Sequence, residues 1–347
     1  MENLFITEND LNRLTEELLK QNWNIISPSE DNKSFKTVDG SNKIKMNPEA
    51  APTKISFKEN FFPRTEPLFY FKSNQKGVEL IEPRSCNAKT IIFGAKPCDA
   101  ASVPILSKVF NWDYRDDFFN QRVENTIIIG LACCYSDEYC FCNSVGLSPN
   151  SENGSDIFLE KLNDGSFEVK VVTEKGKGFI ESFKNFFSQM ETSNLLPANA
   201  TSLNEKRNID YANIKNWLDN NFDNKFWNSA GELCLGCGLC AFVCPTCHCF
   251  DIIDENYDLS CGRRAKNWDS CQFELFTKHA SGHNPRDTKE KRYRQRIMHK
   301  FKYYNDRFGK ILCTGCGRCS RGCPAGIDIA GILEDINSIS SNIIETI

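Results

Sequence analysis

The chain has 347 residues, 40% of them hydrophobic, with 42 Lys and Arg against 46 Asp and Glu for a net charge of −4. That length calls for about two domains with a sizeable core, and the weakly acidic balance argues against nucleic acid as the partner. The longest apolar run, 127–134, is too short to span a bilayer, so no membrane partner is expected.

The opening MENLFITEND has neither the basic segment nor the apolar core of a secretory signal, and the expected location is cytoplasmic. In a reducing compartment 18 cysteines point to metal or redox chemistry rather than disulfides.

In chain order, residues 1–25 carry a helix pattern. Thr7 followed by Asp10 reads as a capping signal, and Leu11, Leu14, Leu18 and Leu19 share one face. Residues 30–60 are polar with scattered Pro and read as loop and extended chain. Short runs rich in β-branched and aromatic residues predict strands at 68–71, 90–93 and 126–129, with cleaner alternation over 167–173. The segment after Pro97 opens a helix through Leu106 to Phe110. Phe179, Ile180, Phe183, Phe186, Phe187 and Met190 suit an amphipathic helix, and the polar stretch 192–208, with Pro197, reads as a linker. From about 209 onward the pattern is mostly helical. Ile214, Trp217, Leu218 and Phe222 share one face there, and Ile332, Ile336, Ile339 and Ile343 another. The expected fold is α+β: an N-terminal α/β-type domain over 1–195, then an α-helical dicluster ferredoxin domain over 196–347.

Two runs carry the chemistry. Cys234-Leu-Gly-Cys237-Gly-Leu-Cys240-Ala-Phe-Val-Cys244-Pro245 and Cys313-Thr-Gly-Cys316-Gly-Arg-Cys319-Ser-Arg-Gly-Cys323-Pro324 both follow C-x2-C-x2-C-x3-C-P. Three thiolates at this spacing can wrap one face of a cubane, and the intervening glycines permit the tight loop. The fourth Cys lies about a helical turn on and ligates the other cluster in two-cluster ferredoxins. The spacing therefore predicts two [4Fe–4S] clusters, one on Cys234, Cys237, Cys240 and Cys323 and one on Cys313, Cys316, Cys319 and Cys244. A pair of zinc sites is the alternative, since C-x2-C pairs also bind zinc.

Other cysteines are less regular. Cys98 follows one predicted strand, Cys133 ends the next, and Cys140 and Cys142 lie on the loop beyond. If the two strands are neighbours, their ends gather these four thiols into a third [4Fe–4S] cluster or a zinc site; packed reduced thiols are the alternative. Cys247, Cys249 and Cys271 read equally well as extra ligands, as a thiol-lined wall, or as packed small residues. The basic stretch 289–310 reads as a solvated helix face or a docking face for an acidic partner. No G-x-G-x-x-G follows a strand and no P-loop occurs, so no flavin, nicotinamide or ATP site is expected. No catalytic residue is assigned.

Several short motifs, in this order, define a resemblance: Lys96-Pro-Cys-Asp99, Gly130-Leu-Ala-Cys133 with Cys140-Phe-Cys142, Cys244-Pro-Thr-Cys-His-Cys249, Trp268-Asp-Ser-Cys271 and Gly282-His-Asn-Pro-Arg286, together with both ferredoxin runs. From about residue 60 the chain resembles the iron–sulfur β subunits of cytosolic sulfhydrogenases, the NAD(P)-linked [NiFe]-hydrogenases. It is also similar to the A-type subunit of anaerobic sulfite reductase. The resemblance implies a non-catalytic role, relaying electrons from a flavin/NAD(P)-binding subunit to a terminal catalytic subunit or in the opposite direction. The terminal site, nickel–iron or sirohaem, then lies on another chain. The ending Cys323-Pro-Ala-Gly-Ile-Asp-Ile329 leans towards the hydrogenase side. A free-standing ferredoxin-like carrier and an iron–sulfur redox sensor are the readings from other classes.

Overall fold

The computed structural model describes residues 3–40, 43–83, 88–190 and 207–344. Ten strands come from the first half: β1 (Asn3–Ile6), β2 (Asn24–Pro28), β3 (Phe35–Val38), β4 (Thr65–Asn74), β5 (Gly77–Ile81), β6 (Thr90–Ala95), β7 (Thr126–Leu131), β8 (Ile157–Lys161), β9 (Phe167–Val171) and β10 (Ser188–Met190). The second half adds β11 (Phe250–Asn256) and β12 (Cys261–Trp268). They form an eight-stranded sheet ordered β10-β1-β9-β8-β7-β6-β2-β3 and a four-stranded sheet ordered β11-β12-β4-β5.

The centre of the large sheet, β2-β6-β7-β8, is parallel, and parallel strands need cover on both faces. Alternation delivers it. Ile91, Phe93, Ile127 and Ile129 meet Leu11, Leu14, Leu18 and Phe179 on one side. Ile92 and Ile128 meet Val103, Leu106, Phe110 and Phe119 on the other. The covering helices are Glu8–Lys20 and Glu174–Ser182 on the first face, and Ser102–Phe110 and Asp117–Glu124 on the second. Thr7 caps the first of these, its side chain accepting from the Asp10 N–H at 3.1 Å.

Several expectations change. Residues 3–6 are strand, so the first helix is shorter than the 1–25 pattern implied. The helix expected around Phe179–Met190 begins earlier, at Glu174, and ends at Ser182, with Met190 in an edge strand. The second half is not wholly helical, because β11 and β12 form a hairpin within it. That hairpin hid because β11 is an exposed edge strand with no buried face to impose alternation.

Around the cysteine runs, helices Tyr211–Asn220, Phe226–Gly231, Lys289–Met298 and Ile329–Ile344 pack on a core that includes Trp217, Trp227, Tyr293, Ile297 and Phe301. The last helix buries Ile329, Leu333 and Ile336, whereas Ile339 is exposed, so the buried face is rotated from the one read from the isoleucines. Ile343 lies outside the side chains described.

Many polar contacts join the halves besides the pairing of β12 with β4, and two of them are ion pairs with both side chains buried. Buried Glu66 on β4 meets Lys266 on β12 at 2.7 Å and also pairs with Arg122. Arg318, beside Cys319, meets Asp99, beside Cys98, at 2.7 Å with both side chains buried. The division at 195/196 therefore stands as a proposal about folding units, across which a sheet is shared. The expected linker 192–208 falls mostly in 191–206, outside the described residues.

Breaking one side of the Asp99–Arg318 pair strands a charge in the interior. Arg318→Leu is expected to lower stability by about 3–5 kcal/mol, read as a fall in thermal midpoint. The double variant Arg318→Leu with Asp99→Leu should recover most of the loss. If the double variant is worse by the sum of the singles, the pair is not coupled.

Candidate metal centres

Each cysteine run folds the same way. Gly236 and Gly238 in the first, and Gly315 and Gly317 in the second, adopt left-handed backbone angles with φ of 67°, 75°, 66° and 69°. Gly238 and Gly317 each precede a single helical turn, Leu239–Phe242 and Arg318–Arg321. The fourth cysteine follows that turn and leaves its own loop. The repeat turns sulfur inward with the help of backbone amides: the Gly236 N–H donates to Cys234 Sγ at 3.4 Å, and the Gly315 N–H to Cys313 Sγ at 3.5 Å.

The thiols gather across the runs. Cys234, Cys237, Cys240 and Cys323 line one cavity, together with Cys319, Tyr293 and Arg296. Cys234 has Cys237 and Cys323 as electrostatic neighbours. Cys313 and Cys316 each have Cys244 and Cys319 as theirs. Burial pushes the Cys240 and Cys313 thiols up to about 12. Such thiols keep their protons at neutral pH until a metal displaces them. A donor set of sulfur alone suits iron–sulfur chemistry.

The N-terminal cysteines approach the second run. β6 and β7 are parallel neighbours, with Ala95 opposite Gly130, so Cys98 and Cys133 leave the same edge of the sheet. Cys133 and Cys316 are electrostatic neighbours of both Cys98 and Cys142. Cys140 is turned towards Asp137 and Arg321, whose Nη2 lies 3.7 Å from its sulfur. Burial pushes Cys140 up to about 12 and Cys142 to about 11. Among the described residues no three His, Cys, Asp or Glu side chains converge on the position of a single metal ion.

The 139–142 loop sits directly on the second cysteine loop. The Phe141 N–H donates to Gly315 O at 2.8 Å. A Cβ at position 315 would lie 2.5 Å from Cys142 N, and one at 317 would lie 2.4 Å from Tyr139 O. Arg321 holds Asp137 through two hydrogen bonds of 2.6 and 2.7 Å.

A further group of thiols lies behind the first run. Cys249 and Cys271 are close electrostatic neighbours, as are Cys244 and Cys247. Lys58 Nζ–H donates to Cys247 O at 3.0 Å and lies 3.9 Å from the centre of the Trp268 ring. His248 Nδ1 is 3.0 Å from Thr246 O, and burial pushes this imidazole down to about 4. The basic stretch 289–310 is not simply a solvated face: Arg292, Arg296 and Lys300 are buried against the thiols. Their spacing of four residues, interleaved with Tyr293, Ile297 and Phe301, was the available signal. It was masked by the other basic residues beside it, which are half-buried (Lys289, Lys291, Arg294, Lys302) or exposed (Arg307, Lys310).

Residues 233–327 match the family described as the 4Fe-4S dicluster domain. The chain is 30% identical to sulfhydrogenase 2 subunit beta of Pyrococcus furiosus over 324 residues, which covers 92% of this chain and 93% of that protein. No solved structure matches. No helix among the described residues is long and apolar enough to cross a membrane.

The loop-on-loop packing gives a direct test. Gly315→Ala carries a left-handed penalty of about 1–2 kcal/mol and also collides with Cys142. Gly165→Ala, at φ 88° with nothing within 4 Å, carries the backbone penalty alone. The expected result is a clearly larger loss of thermal stability for Gly315→Ala, with faster proteolysis near 139–142. Equal losses would mean that the loop yields freely.

Proposed function

This chain belongs to the sulfhydrogenase β-subunit family, and we propose that it relays electrons within a multisubunit oxidoreductase. With a 4Fe-4S dicluster domain over 233–327, it is an iron–sulfur electron-transfer subunit. In the proposed complex one end of the relay meets a flavin/NAD(P)-binding subunit, and the other end meets a [NiFe]-hydrogenase-type catalytic subunit. The second reading is the A-type subunit of an anaerobic sulfite reductase. The relative's name, a sulfhydrogenase subunit, favours the first.

The observation that carries the proposal is the gathering of thiols across the two runs. We assign one [4Fe–4S] cluster to Cys234, Cys237, Cys240 and Cys323, and a second to Cys313, Cys316, Cys319 and Cys244. The shared cavity of the first set and the proximity of Cys244 to Cys313 and Cys316 support this. Each bound cluster supplies a one-electron couple. The protein's part is to bury the sulfurs, offer amide hydrogen bonds to them and keep bulk water from all but the rim. A third centre, an iron–sulfur cluster or zinc on Cys98, Cys133, Cys140 and Cys142, extends the proposal. Its support is the shared sheet edge of Cys98 and Cys133 and the seat of their loop on the second cysteine loop.

Anaerobically prepared protein is expected to hold at least about 8 Fe, from two cubanes. Cys323→Ala should give the same reduced EPR spectrum as Cys237→Ala, because both remove a ligand of the same cluster. A match to Cys316→Ala instead would overturn the crossed assignment, and stoichiometric zinc with negligible iron would overturn the clusters altogether.

For the third centre, the pair Cys140→Ser and Cys142→Ser in the full chain is the test. Loss of about four Fe with both dicluster signals intact supports a cluster, and loss of one bound zinc supports zinc. Unchanged metal content would remove the third centre.

A further inference from the structure

Helix Lys289–Met298 and the π turn that continues it, His299–Tyr303, bring three basic residues to one face. Arg292, Arg296 and Lys300 recur every four residues, and all three are buried. None forms an ion pair with a carboxylate among the described residues. Buried Lys58, like these three, meets carbonyl oxygen (Ala241 and Cys247) rather than a carboxylate, but other cations near the clusters are treated differently. Arg318 is met by Asp99 and Arg321 by Asp137, and Lys266, farther off, by Glu66. Those pairs are close to neutral as seen from a distance. The three on the helix keep their charge.

What they face instead is sulfur and carbonyl oxygen. Arg292 donates through Nη1 to Arg286 O and Asp287 O at 3.1 and 3.0 Å, and its Nε is buried without a partner. It lies on the Cys234–Gly236 side, with Nη2 about one van der Waals contact, 4.0 Å, from where a Cβ at 236 would stand. Arg296 donates to Cys240 O at 3.1 Å and to Cys247 Sγ at 3.5 Å, and lines the cavity of the first thiol set. Lys300 donates to Cys244 Sγ at 3.3 Å, to Thr246 Oγ1 at 3.2 Å and to Leu312 O at 2.8 Å. The row thus runs from the first set of thiols to the second.

An isolated buried cation is costly unless something anionic compensates it. Here the anionic groups within reach are cysteines. A cubane with four thiolates is anionic in both redox states and gains one more negative charge when reduced. A fixed positive charge at short range in a low-dielectric interior therefore favours the reduced state, and net charge and hydrogen bonds to sulfur set cluster potentials.

We propose that Arg292, Arg296 and Lys300 form a fixed cationic rail that raises the reduction potentials of both clusters. Arg292 acts on the cluster that includes Cys234, Lys300 on the one that includes Cys244, and Arg296 on both. These are positioning residues: Arg296 and Lys300 touch residues assigned as ligands, Arg292 lies beside the Cys234–Gly236 loop, and all three act through charge. The proposal rests on the two-cluster reading above and adds which residues set the potentials.

The test is an EPR-monitored redox titration of the full chain, anaerobically loaded. Cys237→Ala and Cys316→Ala backgrounds identify which signal belongs to which cluster. Lys300→Met should move the midpoint of the Cys244 cluster to more negative potential and leave the other nearly in place. Arg292→Gln should do the converse, and Arg296→Met should move both. The charge-preserving Lys300→Arg and Arg292→Lys should stay near the parent. If Lys300→Met or Arg296→Met fails to load clusters, Arg292→Gln at the outer end of the row decides alone. Midpoints that stay in place, or move positive, in variants with full iron content overturn the rail. Absence of iron from the parent protein would instead overturn the cluster reading beneath it.

Discussion

The contact on which the arrangement turns is the buried pair between Asp99 and Arg318. Arg318 sits between Cys316 and Cys319, and Asp99 directly follows Cys98. One guanidinium therefore fixes the second cysteine loop against the edge of the parallel sheet. Arg318 also donates through Nε to Thr53 O at 2.5 Å and through Nη2 to Thr53 Oγ1 at 3.1 Å, so its fork is held from a third segment of chain. A flexible lysine could not make this set of planar contacts. With the loop anchored, Gly315 and Gly317 present bare backbone to the 139–142 loop, and Arg321 clasps Asp137 beside it. The Lys96-Pro-Cys-Asp99 motif thus gains a physical role apart from its thiol: its carboxylate docks the two halves.

Burial sets the electrostatics of what this docking encloses. Thiols such as Cys240 and Cys313 are pushed far above neutrality by desolvation, whereas Cys244, beside Cys247, Lys300 and Arg296, is held well below the usual thiol range. Ionised sulfur and buried cation are each unfavourable alone and compensate each other together. Folding of this region and loading of metal are therefore coupled. Cys237, in contrast, is exposed, with Leu233 and Leu235 exposed around it, so the first thiol set reaches the surface while Cys316 of the second stays buried.

Much of the fold could be read from local pattern because local pattern was tied to burial. Strands β6 and β7 were legible from their unbroken apolar runs, and the helix after Thr7 from its cap and its leucines. The hairpin β11–β12 was not, because Phe250, Ile252 and Ile253 are exposed and alternation there carries no constraint. The face of the last helix does not follow its isoleucines, because Leu333, Asn337 and Ser340 are the residues turned inward beside Ile336 while Ile339 is exposed. For the site, the spacing of the two runs already pointed to exchange of the fourth cysteine. The role of Asp99 needed three dimensions, since its partner is 219 residues away. The buried basic row was hidden in composition, where Arg and Lys in number read as surface.

The two sides of the second cysteine loop now separate two tasks. On the sheet side every cation that touches the loop is matched by a carboxylate, Arg318 by Asp99 and Arg321 by Asp137. These contacts fix position and add little net field, because each pair is close to a dipole. On the helix side, Arg296 and Lys300 reach sulfur and carbonyl oxygen and keep their full charge. Geometry and field are thus controlled by different residues on opposite faces. A substitution on the sheet side disturbs docking before it disturbs potential, and one on the helix side can alter the field while the docking contacts remain. A relay needs both kinds of control, since electron transfer depends on where the centres sit and on the order of their potentials. The chain assigns the first to neutral pairs across its halves and the second to cations without a carboxylate partner, three of them in one row on a helix and its continuing turn.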